Sequence, residues 1–168
     1  GKTTITYLVN AVLEEAGFRT GVLGTIGNRI GDETFKTANT TPESVDLYRL
    51  FEQVRSIGGT HVTMEVSSHA LALGRVYALG FHVALFTNLT QDHLDFHGDM
   101  ESYFAAKKML FFANGAAAPK WAVINFDDEH GRLIQPSPET RTITYGLAEG
   151  ASLRATDIEM GFEGLSFT

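Results

Sequence analysis

The first four residues of the chain, Gly1, Lys2, Thr3 and Thr4, have the types and order that end a phosphate-binding loop. In such a loop, backbone N–H groups and the positive end of the following helix hold a phosphate. The lysine adds a positive charge near the β- and γ-phosphates, and the threonine hydroxyl coordinates Mg²⁺. Four such residues also occur by chance. What favours the loop is that apolar spacing predicts a helix directly after them, where a phosphate-binding helix begins.

A second candidate set consists of acidic and histidine side chains. Glu65 stands at the carboxyl end of a predicted strand. The loop after the next predicted strand, TNLTQDHLDFHGD, carries five more side chains that can bind a metal: Asp92, His93, Asp95, His97 and Asp99. Aspartate and histidine are also ordinary turn residues. The number of them in one loop nevertheless favours a site.

Two other kinds of site use some of the same residue types. His93 and His97 lie four apart and could face one metal, but the glutamate that follows the first histidine of a zinc-protease helix is replaced by Leu94. A GTPase needs an Asn-Lys-x-Asp segment to read its base, and TNLTQDHLD offers Asn88 and Asp92 without the lysine. Both alternatives are therefore disfavoured.

The elements that would position these residues alternate along the chain. Strands are predicted at residues 20–23, 61–66, 82–88, 121–126 and 142–146, and helices at residues 4–16, 42–57, 100–113 and 127–134. Thr41 and Pro42 form a predicted helix cap and first turn, and residues 24–39 are predicted as a loop or hairpin. This alternation predicts an α/β fold with a mainly parallel sheet flanked by helices. Residues 151–168 predict the start of an antiparallel hairpin.

Composition limits the partners. The 168 residues carry a net charge of −7 and no cysteine. A negative chain has no general field to attract nucleic acid or an anionic membrane, so local donors or metal ions must hold any anionic ligand. The absence of cysteine excludes disulfides and is compatible with a reducing cytoplasm. Because no apolar stretch reaches the length of a bilayer span, we expect a soluble protein.

Five segments taken together resemble the ATP-dependent Mur ligases: GKTT, NTTPES, MEVSSHAL, TNLTQDHLDFHGDMESYFAAKK and INFDDEHG. The resemblance is strongest to the MurE type, the members that add the third amino acid to UDP-N-acetylmuramoyl-L-alanyl-D-glutamate. It implies that residues 1–168 are an incomplete central ATP-binding domain, with residues 1–150 as the α/β portion and residues 151–168 as the start of an antiparallel portion. The family's N-terminal UDP-binding domain and its C-terminal domain would lie outside this chain.

The resemblance also implies roles for individual residues. Gly1, Lys2, Thr3 and Thr4 match the last four positions of the family's ATP-binding loop. The implied ligands of Mg²⁺ are Thr3, Glu65, His93 and Lys107, the last as a carbamate that forms on the neutral amine. The implied catalytic residues are Lys2, His93 and Lys107. Contacts with the UDP-sugar peptide are implied for Asn39, Thr40, Thr41, Ser67 and Arg75.

Leu73 departs from the family, because some members carry a substrate-binding glutamine there. Asn125, Asp127 and Asp128 lie near the expected adenine side, although a helix cap explains the two aspartates equally well.

The implied reaction is amide formation through an acyl phosphate, with meso-diaminopimelate or L-lysine as the incoming amine. Two alternatives stay open: a folylpolyglutamate or cyanophycin synthetase of the same superfamily, and a non-catalytic nucleotide-binding module. We further expect a cytoplasmic monomer with no nucleic-acid or membrane partner. The isolated chain is expected to be inactive.

Overall fold

The computed structural model describes all 168 residues, which form two compact units, Gly1–Tyr77 and Ala78–Thr168. Each unit holds a four-stranded sheet with helices. The predicted α/β class is confirmed: four of the seven strand pairings are parallel, including all three in the sheet of the second unit, and an antiparallel hairpin lies near the C-terminal end. None of the helices combines the length and the apolar character needed to cross a bilayer.

The first unit contains three helices and four strands. The helices are α1 (Lys2–Glu15), α2 (Ser44–Ser56) and α3 (Ser68–Ala72), and the strands are β1 (Thr20–Gly24), β2 (Gly27–Ile30), β3 (Glu33–Phe35) and β4 (His61–Met64). The sheet order is β3-β2-β1-β4, with β1 and β4 parallel and the other pairs antiparallel. The hairpin predicted within residues 24–39 is therefore confirmed. The short helix α3 was not predicted.

Helix α1 is confirmed, but its apolar side chains are not the buried ones. Leu8 and Val12 are 61% and 69% exposed, whereas Thr6 and Asn10 are buried. The Thr6 hydroxyl donates to the carbonyl of Lys2 at 3.0 Å, which satisfies this buried polar group within the helix. Apolar spacing thus identified the helix without identifying its buried face.

The predicted cap of α2 is wrong. The helix begins at Ser44 with Glu43 at its N-cap, two residues later than the predicted Thr41 cap. The Thr41 hydroxyl instead donates to the Glu65 carbonyl at 2.9 Å and accepts from the Ser67 N–H at 3.0 Å. These partners lie more than 20 residues along the chain. Because the hydroxyl is used in these tertiary contacts, it does not cap the helix as the local sequence predicted.

The second unit contains six strands and two helices. The strands are β5 (Val83–Phe86), β6 (Trp121–Asn125), β7 (Arg141–Gly146), β8 (Leu153–Arg154), β9 (Glu159–Gly161) and β10 (Gly164–Ser166), and the helices are α4 (Leu94–His97) and α5 (Met100–Lys108). Strands β5, β6, β7 and β8 pair in that order and all in parallel. Strands β9 and β10 form the predicted antiparallel hairpin.

Two helix predictions in this unit need correction. The helix predicted to end at Ala113 ends at Lys108 and continues only as a 3₁₀ turn, Met109–Phe111. The helix predicted at residues 127–134 is wrong, because the segment forms a single 3₁₀ turn, Gly131–Leu133. The unpredicted α4 lies in the acidic and histidine-rich loop.

The core of the second unit lies between the parallel sheet and α5. Alternate residues of β6 are buried, as expected for a strand with one face against helices. The buried cluster is Ala84, Phe86, Leu89, Tyr103, Phe104, Phe111, Ala122, Ile124 and Ile134. Helix α5 supplies Tyr103 and Phe104 to this core, and that packing fixes the face on which its lysines lie.

Candidate active site

Glu65 is the centre of the candidate site in the first unit. It follows β4 directly and its residue is only 2% exposed, so it is not the solvated strand-end glutamate that an isolated acid would be. Its Oε2 accepts from the Thr3 hydroxyl at 2.9 Å and the Thr25 hydroxyl at 3.2 Å, and its Oε1 accepts from the Thr25 N–H at 2.8 Å. All three of these donors are neutral.

This arrangement fits a divalent metal ion. A buried carboxylate is costly unless a positive charge compensates it, and the donors around Glu65 supply none. Carboxylate and hydroxyl oxygens are the hard ligands that Mg²⁺ prefers. No group of three or more histidine, aspartate or glutamate side chains is placed to hold a metal. Thr3 and Glu65 therefore offer two oxygen-bearing side chains to an ion, and substrate or water oxygens would have to supply the other ligands.

The substrate-side residues connect to the same network. The Thr41 hydroxyl binds the Glu65 carbonyl and the Ser67 N–H, as described above, and the Ser67 hydroxyl caps α3 by accepting from the Ala70 N–H at 3.1 Å. The Thr40 hydroxyl lies 3.1 Å from that of Thr25. Hydrogen bonds therefore link the predicted ATP-loop residue Thr3 to the predicted substrate residues Thr40, Thr41 and Ser67.

Arg75 is held against this network. Its Nη1 donates to the Thr41 carbonyl at 3.2 Å, and its Nε lies 2.8 Å from Glu43 Oε1 in an ion pair whose Nε–H is not aligned as a hydrogen bond. The side chain is 16% exposed, which rules out an ordinary surface arginine. A guanidinium fixed on one side by such contacts keeps donors for a phosphate or carboxylate.

The remaining predicted residues of this unit are less constrained. Gly1 is the N-cap of α1, and the first turn of α1 has no acidic side chain to neutralise its positive end. The side chains of Lys2 and Thr4 are exposed. The backbone of Asn39 exchanges two hydrogen bonds with Thr37. A phosphate could thus meet the amides of α1 and the Lys2 ammonium from solvent.

In the second unit His93 has an unusual backbone. It is the N-cap of α4 in the left-handed region, with φ 55° and ψ 27°, and the adjacent Asp92 accepts its N–H at 2.9 Å. The imidazole Nε2 lies 3.3 Å from Asp92 Oδ2. Residues other than glycine with such backbone angles are concentrated at functional sites, and this supports the prediction that His93 is a site residue.

Tyr103 brings three sequence-predicted side chains together. Its ring stacks on His97 at 5.0 Å, meets His93 edge-on at 6.2 Å and lies 4.8 Å from the Nζ of Lys107. Burial, and secondarily the charge of Asp92, raise the pKa of Tyr103 above its usual value, so the phenol stays neutral. His93 and Lys107, predicted to act together, therefore share one buried ring.

Lys107 and Lys108 differ in their surroundings. The Lys107 Nζ donates to the Asn88 carbonyl at 3.0 Å, next to the Tyr103 ring. The Lys108 Nζ lies 4.8 Å from the Phe104 ring, on the neighbouring face of α5. Both lysines are half-buried. The carbonyl and ring faces suit an ammonium, and carbamylation of Lys107 stays a prediction.

The residues expected on the adenine side serve their own loop. Asp127 accepts from the Leu147 N–H at 2.7 Å and the Ala148 N–H at 2.9 Å, and these bonds lower the pKa of Asp127. Asp128 accepts from the amides of Leu89, His130 and Gly131. The Asn125 amide donates to the Thr87 carbonyl at 2.7 Å. Loop ordering accounts for all three side chains, and adenine binding stays a prediction.

Sequence reasoning missed three residues that hold the others in place: Thr25, Glu43 and Tyr103. Tyr103 could have been found, because it stands four residues before Lys107 on a predicted helix and therefore on the same face. Glu43 lies near the predicted start of α2, and nothing in that local pattern predicts its ion pair with Arg75. Thr25 lies in a short turn whose role depends on the distant Glu65, and no local pattern reveals that.

Fold and site define the class as an α/β domain in which Thr3, at the start of a helix, donates a hydrogen bond to a buried carboxylate. The model of the Mur ligase middle domain matches residues 1–168. The chain therefore belongs to the Mur ligase middle-domain family.

Individual relatives and a solved structure agree with this family. UDP-N-acetylmuramoyl-L-alanyl-D-glutamate–2,6-diaminopimelate ligases of Solibacter usitatus and Geobacillus thermodenitrificans are 54% and 46% identical over 99% of this chain. A solved structure of a ligase with the same description is 32% identical with a TM-score of 0.85, again over 99% of this chain. The chain spans only 34% to 35% of the length of these proteins.

Proposed function

We propose that the polypeptide containing this chain is an ATP-dependent ligase. It would join 2,6-diaminopimelate to UDP-N-acetylmuramoyl-L-alanyl-D-glutamate through an amide bond, in the synthesis of a peptidoglycan precursor in the cytoplasm. The names of the relatives, which are 2,6-diaminopimelate ligases, support this choice of amine over lysine. The observation that carries the proposal is the network joining Thr3 of the phosphate loop, through Glu65 and Thr25, to Thr40.

In this proposal the start of α1 binds the triphosphate of ATP. The amides of Thr3 and Thr4 and the ammonium of Lys2 would hold the β- and γ-phosphates, because a helix N-terminus and a lysine both stabilise phosphate charge. The chain has a net charge of −7, so this local positive end has to act against an unfavourable overall field.

Thr3 and Glu65 would bind Mg²⁺ in this first unit. The ion would neutralise phosphate charge and let a carboxylate approach the γ-phosphate. The contribution of the chain is to hold the Glu65 carboxylate in one orientation before the ion binds, through the hydroxyls and the N–H described above. Within the second unit, His93 and carbamylated Lys107 are proposed as metal-binding and catalytic groups.

The substrate side would be held by Asn39, Thr40, Thr41, Ser67 and Arg75. Arg75 has donors to offer an anion, while Glu43 and the Thr41 carbonyl keep its side chain in place. The γ-carboxylate of the D-glutamyl residue would attack the γ-phosphate and form an acyl phosphate, which the amine then converts to the amide. Fixing both anions at defined positions supplies most of the rate enhancement in such a reaction.

The proposal is tested with the full-length polypeptide. We expect phosphate release that requires ATP, UDP-N-acetylmuramoyl-L-alanyl-D-glutamate and diaminopimelate together, with the tripeptide product seen by mass spectrometry. Turnover with lysine, and none with diaminopimelate, would identify lysine as the amine substrate instead. Turnover only with a folate or cyanophycin acceptor would move the chain to a sibling ligase. ATP binding without acceptor-dependent hydrolysis would indicate that the polypeptide is a non-catalytic nucleotide-binding module.

A glycine substitution offers a direct test of Glu65. A Cβ at Gly24 would collide with the Glu65 carboxylate, falling 3.0 Å from its Cδ, so Gly24→Ala should displace that carboxylate. We expect ligase turnover to fall by at least about 10-fold, as for loss of one charge-stabilising interaction. Thermal unfolding should remain cooperative.

The matched control is Gly80→Ala. Nothing lies within 4 Å of a Cβ built at Gly80, so this variant should keep wild-type turnover. Equal activities of the two alanine variants would contradict the assignment of Glu65.

A further inference from the structure

Thr25 makes three contacts with residues of the candidate site, although the proposed function gives it no role. It lies in the turn between β1 and β2, and its residue is exposed. Its N–H donates to Glu65 Oε1 at 2.8 Å, while its hydroxyl lies 3.2 Å from Glu65 Oε2 and 3.1 Å from the Thr40 hydroxyl. One residue therefore contacts both carboxylate oxygens and a substrate-side side chain.

The number of protons fixes the direction of these bonds. A carboxylate only accepts, so the single hydroxyl proton of Thr25 goes to Glu65 Oε2. The contact between Thr25 and Thr40 is then made with the proton of Thr40, since either hydroxyl could donate there. The chain of bonds runs from Thr40 through Thr25 to Glu65, and Thr40 keeps its lone pairs for a ligand.

The same carboxylate oxygen also receives the hydroxyl of Thr3, at 2.9 Å. The orientation of Glu65 is thus set jointly by the phosphate loop and by Thr25. Of these two threonines, only Thr25 also contacts Thr40. A change at Thr40 therefore reaches the Glu65 carboxylate through the Thr25 hydroxyl.

We propose that Thr25 is a positioning residue that fixes the Glu65 carboxylate and couples its orientation to Thr40 on the substrate side. This inference rests on the proposed ligase function. Thr25 contacts neither nucleotide nor acceptor in this role. It acts through Glu65, which would bind the metal ion, and through Thr40, which would bind the acceptor.

The test uses the full-length polypeptide and three variants. Thr25→Val removes the hydroxyl and keeps the branched shape, whereas Thr25→Ser keeps the hydroxyl. We expect Thr25→Val to lower kcat about 10-fold, as for loss of a hydrogen bond to a charged group, with little change in the KM for ATP and a higher Mg²⁺ requirement. Thr25→Ser should stay within about 3-fold of wild type. Thr34→Val, an exposed threonine on β3, is the matched control and should be unchanged.

The coupling to Thr40 has its own readout. If Thr25 transmits the effect of Thr40, the Thr25→Val/Thr40→Val double variant should lose little more activity than the worse single variant, because interacting residues are not additive. Additive losses would overturn the coupling. Wild-type kcat in Thr25→Val, or equal losses in Thr25→Val and Thr25→Ser, would overturn the positioning role.

A crystal structure of Thr25→Val separates this inference from the proposed function. If the wild-type polypeptide shows no ligase activity, the proposed function fails and the kinetic test cannot be made. A displaced or disordered Glu65 carboxylate in the variant would still support positioning by Thr25. An unmoved carboxylate would overturn it.

Discussion

Lys2→Ala in the full-length polypeptide is expected to abolish acyl phosphate formation. The lysine stands at the first residue of α1, where its ammonium adds to the positive end of the helix. Removing a group that stabilises charge developing in the transition state costs about 100- to 1,000-fold, and the lysine of a phosphate loop also positions the phosphates. We therefore expect kcat/KM for ATP to fall by at least about 1,000-fold.

The measurement is hydroxylamine trapping of the acyl phosphate, with ATP and the UDP-sugar dipeptide but no amine. Lys36→Ala is the control, because Lys36 is an exposed lysine of the same unit outside every element and should keep wild-type trapping. Lys2→Arg tests charge against geometry: it retains the charge, and only part of the activity should return. Undiminished trapping in Lys2→Ala would remove the assignment of the phosphate loop.

Lys107→Ala is the second substitution with a large expected effect. If Lys107 carries a carbamate that binds the metal, the alanine variant loses a ligand and should be inactive. Added formate or acetate should restore part of the activity, because a small carboxylate can occupy the position that the carbamate leaves. Turnover is measured over a range of carboxylate concentrations, with sodium chloride at matched ionic strength.

Lys108→Ala is the matched control one residue away. It removes a cation–π contact with Phe104, worth about 0.5–1 kcal/mol, and should leave turnover unchanged. NMR of the wild-type polypeptide after addition of isotopically labelled bicarbonate tests the carbamate itself. An inactive Lys107→Ala without a carbamate signal would leave Lys107 as an ammonium held by Asn88 and Tyr103.

Local helix signals were reliable only where no distant partner competed for them. Helix α5 begins at Met100 as predicted, and Asp99, considered above as a metal-binding side chain, caps this helix by accepting from the Ser102 N–H at 2.7 Å. Thr41 illustrates the opposite case, because its hydroxyl bonds to Glu65 and Ser67 and leaves the cap to Glu43. Asp127 likewise bonds to the loop after β7, and the helix predicted to follow it is a single turn.

The candidate residues show the same division. The motif, the strand end and the family resemblance predicted that Thr3, Glu65, Thr40 and Thr41 belong to a binding site. That Thr25 connects Glu65 to Thr40 depends instead on how the β1–β2 turn folds over Glu65. Nothing in the local pattern of residues 24–27 carries that information.

The sequence by itself determined the α/β class, the order of most elements and the residue types available for phosphate and metal chemistry. These follow from periodicity, turn residues and side-chain chemistry, all of which act over a few residues. Only the tertiary structure decided that Glu65 is buried among neutral donors, that Arg75 is held by Thr41 and Glu43, and that Tyr103 gathers His93, His97 and Lys107. The physical reason is that each polar side chain has few hydrogen bonds to make, and long-range packing decides which partner receives them.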